Sequence, residues 1–212
     1  SASAPATSRR CRRLTAPAVT RRAMKVGVMD PVLEPSARGR VFDLARRLTF
    51  DGVELVVRRE QLASREPLER LCEERAAAGL EVPSLVLEEH SDRGGIADLD
   101  PAVAAEARRD VELAIGWAAE LGAGAILVPF FGRAELDGEA GLDRAAGAFR
   151  ALCEPAGAAN VLLCYEGTLP SDSIHALAGR VASRAFGCYL DVANVVTRGM
   201  DGCLYVYARP AF

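Results

Sequence analysis

Two carboxylates that follow buried apolar runs are the residues of this chain best suited to chemistry. Glu166 follows VLLCY (161–165), and Asp191 follows GCYL (187–190), 25 positions further on. That distance is about one strand–helix unit, so in a parallel barrel both side chains would reach the same rim. Two carboxylates at one rim suit a hard divalent cation such as Mg²⁺ or Mn²⁺. The alternative is that each carboxylate caps a helix or pairs with an arginine.

Three further polar residues are candidates for contact with a substrate. Asn194 could hydrogen-bond a sugar hydroxyl, or it could be a turn residue, because Asn tolerates left-handed backbone. His90 ends the third predicted strand and could contact substrate or carry a proton, although a satisfied surface histidine explains it equally well. Glu54 lies within the second predicted strand; it either points inward to an arginine or a substrate hydroxyl, or forms an ion pair against the helix layer.

The elements that must position these residues alternate in type from Met24 onward. Apolar runs typical of buried strands alternate with segments whose apolar residues recur at helical spacing. The predicted strands are residues 25–29, 51–57, 80–90, 123–131, 160–167 and 186–194. The predicted helices are residues 36–50, 66–79, 101–121, 142–157 and 172–181. Gly79 and Gly122 are expected to end the second and third helices, and Pro155 to end the fourth.

This alternation predicts an α/β fold with a parallel sheet. A doubly wound sheet and a closed barrel both satisfy it, but the first strand runs into MDPVLEP (29–35) without a glycine-rich phosphate-binding turn. Polar residues gather instead at several strand ends, as in a (β/α)8 TIM barrel. We therefore predict such a barrel over residues 24–201, incomplete, with about six of its eight units present. Residues 1–23 are expected to be a disordered or targeting-like extension, and residues 202–212 an atypical tail.

The distribution of charge bears on partners and location. Residues 1–22 carry six of the 26 basic residues and no acid, which leaves 20 basic and all 29 acidic residues in the remainder. An acidic body argues against a nucleic-acid partner, and no apolar run approaches the roughly 18 residues that predict a membrane helix. We expect a cytoplasmic protein. An organelle is the alternative, because the Ser-, Ala- and Arg-rich residues 1–23 have the composition of a transit peptide.

Four stretches of the chain together match a known pattern. They are FDGVEL (50–55), ELGAGAILV (120–128), LLCYEG (162–167) and LDVANVVTRGMD (190–201). With them the chain resembles the sugar phosphate isomerase/epimerase group of the xylose isomerase-like barrel superfamily. The resemblance implies a divalent cation (Mn²⁺, Mg²⁺ or Co²⁺) held by a glutamate of strand five and an aspartate of strand six, here Glu166 and Asp191. A histidine of strand seven and a glutamate of strand eight have no counterpart, so we expect binding to be weakened or lost if the chain truly lacks those strands.

The function that the resemblance implies is a metal-dependent isomerase or epimerase of a small sugar, sugar phosphate or polyol. Glu166 would be a metal ligand and an acid–base group in that reaction. One alternative is a non-catalytic barrel remnant or binding module, whose first and sixth strands would be bare edges. Another is a lyase or dehydratase of the same fold. The expected partner is a carbohydrate-like small molecule, without nucleic acid or membrane, and a homo-oligomer is left open.

Overall fold

A computed structural model of the chain describes residues 24–37 and 40–191. Its strands form one parallel sheet of six strands, and their order in space is their order along the chain. The strands are β1 (Gly27–Met29), β2 (Gly52–Val56), β3 (Ser84–Val86), β4 (Ala125–Phe130), β5 (Leu162–Gly167) and β6 (Phe186–Cys188). The longest pairing joins β4 to β5, where Pro129 is the register partner of Glu166.

Helices connect the strands. They are α1 (Asp30–Ala37), α2 (Val41–Arg47), α3 (Arg59–Leu62), α4 (Glu66–Ala78), α5 (His90–Arg93), α6 (Pro101–Leu121), α7 (Gly138–Ala158) and α8 (Ser171–Val181). Gly79 and Gly122 end α4 and α6, as predicted, and adopt the left-handed conformation with φ of 67° and 68°. The N-terminus of α6 is capped by Asp100, whose side chain accepts a hydrogen bond from the Ala102 amide. None of the helices within the described residues is long and apolar enough to cross a bilayer.

The sheet buries a different set of side chains on each face. Parallel strands joined in sequential order by right-handed crossovers place all their helices on one face, and the sheet curls around the other. On the helix side, Ile126, Val128 and Phe130 of β4 join the main core. On the concave side, Val56, Val86 and Leu127 form a separate small cluster. This is the predicted barrel architecture, with six parallel strands in the described residues.

The structure corrects three details of the predicted elements. The segment 36–50 is not one helix: α1 begins earlier, at Asp30, whose Oδ1 accepts a hydrogen bond of 2.8 Å from the Val56 amide. The third strand ends at Val86 rather than at residue 90, because the chain turns there and the His90 amide donates to the Leu87 carbonyl at 3.1 Å. Pro155 does not end α7, which continues to Ala158; the proline lies on the exposed face, where water can satisfy the carbonyl that loses its donor.

Candidate functional site

The concave face of the sheet encloses a cavity of about 590 Å³. Five polar residues line it, from β2, β3, β5 and the chain that follows β6: Glu54, Ser84, Glu166, Tyr189 and Asp191. The rest of the lining is apolar or glycine: Gly27, Val28, Met29, Pro83, Val86, Ala125, Leu127 and Leu190. Within the described part of the chain, no Lys, Arg or His lines this cavity, so three carboxylates face it without a basic residue.

Strand β5 presents Glu166 to the cavity because alternate residues of a strand point to opposite faces of the sheet. Its neighbour Tyr165 packs on the helix side, with its ring centroid 5.2 Å from that of Phe130. Burial, together with the negative charges of Asp191 and Glu54, raises the pKa of Glu166 to about 7. Glu166 can therefore both accept and release a proton near neutral pH.

Asp191 lies three residues after the end of β6 and lines the same cavity as Glu166. Burial raises the pKa of the nearby thiols, to about 12 for Cys164 and about 11 for Cys188, and neither cysteine lines the cavity. The donors left for a cation are carboxylate oxygens, which hard cations prefer. The described residues contain no set of three or more His, Cys, Asp or Glu side chains arranged to hold a metal ion.

Glu54 points into the cavity from β2 and is 8% exposed. Its Oε2 accepts a hydrogen bond from the Ser84 hydroxyl on the neighbouring strand and a second, of 3.1 Å, from the Tyr189 hydroxyl. Burial and the Glu54 carboxylate raise the pKa of Tyr189 above its ordinary value, so its phenol keeps its proton. The inward orientation is one of the two that the sequence left open, and the partners of Glu54 are hydroxyl groups rather than an arginine.

The structure places His90 away from the cavity. Its imidazole is 2% exposed, and Nε2 lies 3.5 Å from Oδ2 of Asp110 on α6. The Arg59 guanidinium donates to the same carboxylate from Nε at 3.0 Å and from Nη2 at 2.8 Å. Burial acts to raise the pKa of Asp110, but His90 and Arg59 outweigh it and hold the pKa below its ordinary value. This cluster ties the segments after β2 and β3 to α6, and His90 is not brought together with Glu166.

Two of the residues at the cavity, Tyr189 and Ser84, were missed by the sequence reasoning, and Asn194 lies outside the described residues. Tyr189 could have been found from its spacing: it lies two positions before Asp191, and such positions share a face in extended backbone. Ser84 is a polar residue at the start of the apolar run SLVL (84–87). Asp110 was missed as well, although it is an acid on the buried stripe of α6.

Comparison with known proteins gives a family for this architecture. A family model described as the xylose isomerase-like TIM barrel matches residues 42–211. No curated protein sequence matches the chain.

Several solved structures share the fold. A D-tagatose 3-epimerase-like protein superimposes with a TM-score of 0.71 at 18% identity, over 86% of this chain and 70% of that protein. An L-ribulose 3-epimerase gives a TM-score of 0.68 at 22% identity, over 84% and 64%. A xylose isomerase-like TIM barrel protein from Mycobacterium smegmatis, in complex with magnesium, gives 0.65 at 19% identity, over 81% and 65%. The chain thus spans slightly less than two thirds of the length of the last two proteins.

Proposed function

The chain belongs to the xylose isomerase-like TIM barrel family, and from that premise we propose that it isomerises or epimerises a small sugar or polyol with the aid of a divalent cation. The observation that carries the proposal is the position of Glu166 and Asp191 on one cavity, where burial and mutual repulsion raise the pKa of Glu166 to about 7. Structures with this fold include proteins named as sugar epimerases and one that contains magnesium.

Glu166 and Asp191 fit a hard divalent cation by the chemistry of their donors. Both offer carboxylate oxygens, and a cation between them would relieve the like-charge repulsion that raises the pKa of Glu166. Because hard cations also keep bound waters, two protein carboxylates can serve as part of a ligand set. A bound cation would polarise a carbonyl or hydroxyl oxygen of the sugar.

The Glu166 carboxylate would act on the carbon beside the sugar carbonyl. It takes the proton of that carbon, and the electrons of the broken C–H bond pass to the carbonyl oxygen to form an enediolate. Return of the proton by Glu166 to the former carbonyl carbon, with the hydroxyl proton passing to the adjacent oxygen, gives the isomer. The epimer forms when a second donor, an acid or a water molecule on the opposite side, protonates the opposite face of the original carbon.

Proton exchange with solvent tests this proposal. The full chain is incubated with Mn²⁺ and free ketoses in D₂O, and deuterium at the carbon beside the carbonyl is followed by NMR. We expect incorporation with the unaltered chain, and a loss of at least about 100-fold with Glu166→Gln, in the range for removing a positioned acid–base group. Glu112→Gln, on the exposed face of α6, is the matched control and should exchange normally. Equal exchange by Glu166→Gln and the unaltered chain would contradict the proposal, and loss of water to a keto-deoxy product would indicate the dehydratase alternative.

The affinity for Mn²⁺ should depend on pH through Glu166. Since the pKa of this carboxyl is about 7, protons compete with the cation below that pH and the competition ends above it. We expect the affinity to fall by about tenfold per pH unit below pH 7 and to level off above it, because binding releases one proton. Isothermal calorimetry at a series of pH values measures the profile, and an affinity independent of pH down to about pH 5 would exclude Glu166 as a ligand.

Several parts of the sequence-based expectation stay predictions. They are the roles of His90 and Asn194 as substrate contacts, the boundaries of the barrel at residues 24 and 201, the cytoplasmic location and the homo-oligomer. Of the predicted substrate contacts that lie in the described part of the chain, Glu54 lines the cavity and His90 does not.

A further inference from the structure

The Tyr189–Glu54 hydrogen bond crosses the interior of the sheet. Tyr189 comes directly after Cys188, the register partner of Tyr165, and so lies beside Glu166 at the β5–β6 junction. Its hydroxyl reaches Glu54 on β2, which is separated from β6 by three strands of the sheet. The phenol therefore joins the side of the cavity that carries Glu166 and Asp191 to the opposite side.

Glu54 is buried with hydroxyl partners and without a basic one. A buried carboxylate is unfavourable unless its oxygens receive hydrogen bonds or a counter-charge. Among the described residues, both hydrogen-bond donors to Glu54 reach the same atom, Oε2, and the other oxygen, Oε1, accepts none. Because Glu54 lines the cavity, Oε1 is an acceptor with room for a hydroxyl donor from a ligand.

Tyr189 offers a second acceptor next to the first. Its hydroxyl proton is donated to Glu54 Oε2 at 3.1 Å. The lone pairs of the phenol oxygen then remain to accept a hydrogen bond. Two acceptors side by side match two neighbouring hydroxyl donors, the arrangement of a vicinal diol, while Val86 and Leu127 offer an apolar wall to its C–H groups.

The negative charge of the cavity favours uncharged diols over diols that carry an anionic group. Glu54, Glu166 and Asp191 line it, and no basic residue does so within the described part of the chain. Even with a divalent cation bound, three carboxylates leave a net negative charge. A phosphate or carboxylate group on the ligand would therefore be repelled by the net charge of the cavity.

We propose that Glu54 and Tyr189, braced by Ser84, form a diol-recognition subsite that selects an uncharged ketose or polyol over its phosphate ester. This inference rests on the proposed function and names its substrate class. Glu54 supplies both the acceptor and the charge that disfavours the ester, and Tyr189 positions Glu54 and supplies the second acceptor. Replacing Glu54 should therefore change both the affinity for the ketose and the preference over its ester, whereas replacing Tyr189 should change mainly the affinity.

Paired ligands and conservative variants test the subsite. The full chain with Mn²⁺ is titrated by calorimetry with D-tagatose, L-ribulose and D-fructose, and with the terminal phosphate ester of each. We expect at least one free ketose to bind about tenfold or more tightly than its ester. Glu54→Gln should weaken binding of the free ketose by about tenfold and reduce the preference over the ester to about threefold or less, because it removes a charge-assisted acceptor and a repulsive charge. Tyr189→Phe should weaken binding by about three- to tenfold, in line with one neutral hydrogen bond.

The controls separate this inference from the proposed function. Tyr165→Phe removes a phenol that packs on the helix side, so affinity and preference should both stay unchanged. If Glu166→Gln abolishes deuterium exchange while Glu54→Gln leaves the preference between ketose and ester intact, the subsite is wrong and the proposed function stands. Tighter binding of the esters by the unaltered chain also overturns the subsite alone. If no free ketose binds or exchanges deuterium, both proposals fail.

Discussion

Replacing Glu166 by Gln is expected to weaken Mn²⁺ binding by at least about 100-fold. Loss of a residue that only supports a metal ligand costs about 10- to 100-fold in affinity, so loss of a ligand should cost at least as much. The substitution keeps the size of the side chain and one oxygen but removes the charge that the cation balances. Calorimetric titration with Mn²⁺ at about pH 8, where Glu166 is ionised given its pKa of about 7, measures the effect.

The stability of the Glu166→Gln chain shows whether a loss of Mn²⁺ binding results from unfolding rather than from loss of a ligand. Without metal, Glu166 carries its charge half-buried beside Asp191 and Glu54, whereas Gln carries none. A carboxyl whose pKa is raised on folding favours the folded state at low pH, and that contribution is lost as the pH rises to about 7. The metal-free Glu166→Gln chain should therefore be at least as stable as the unaltered one at pH 8.

Two further variants serve as controls for Mn²⁺ binding. Asp191→Asn should weaken Mn²⁺ binding in parallel, and Glu112→Gln should not. Normal Mn²⁺ binding by Glu166→Gln would remove the basis for the metal site.

Replacing Asp110 by Ala is expected to lower the free energy of unfolding by about 3 kcal/mol, near the lower end of the range for breaking a buried ion pair. Asp110 is 6% exposed and receives the Arg59 guanidinium through two nitrogens, with His90 at 3.5 Å. Removing the carboxylate leaves that guanidinium without its buried acceptor and takes away the charged neighbour of the buried imidazole. The loss should lie near that lower end because the Arg59 side chain is 27% exposed, so water can solvate part of the freed charge.

Urea denaturation followed by circular dichroism measures this change, and Glu106→Ala is its matched control. Glu106 also accepts from Arg59, at 2.7 Å, but is 66% exposed, so its loss should cost less than about 1 kcal/mol. The pKa of Asp110 is lowered on folding, so its contribution is present above the ordinary pKa of 3.8 and is lost as the pH falls below it. Equal effects of Asp110→Ala and Glu106→Ala would show that the buried pair carries no special stability.

Much of the fold could be predicted because local physics decides it. The apolar runs that become β4, β5 and β6 lie within the predicted strands. Gly79 and Gly122 end their helices as expected, because left-handed backbone after a helix costs glycine little. The errors fall where distant contacts override local preference: Asp30 begins a helix while it accepts from an amide of β2, and the chain turns before His90.

The candidate site could be predicted only in part. Glu166 and Asp191 stand out in sequence because each interrupts an apolar context after a strand, and the structure places both on one cavity. Tyr189 does not stand out, because a tyrosine in an apolar run is usually a core residue. His90 has the residue type of a functional group but is buried against Asp110, 20 positions away in sequence.

The sequence by itself determined that strands alternate with helices, that the strands run parallel, and that carboxylates follow the fifth and sixth strands. Those features depend on hydrophobic spacing and on single-residue preferences, which are local properties of the chain. Only the tertiary structure decided that Glu54 faces the cavity, that Tyr189 reaches it across the sheet, and that Asp110 pairs with Arg59 and lies beside His90. These pairings join residues between 20 and 135 positions apart. The curl of the sheet sets their distances, and no local pattern encodes it.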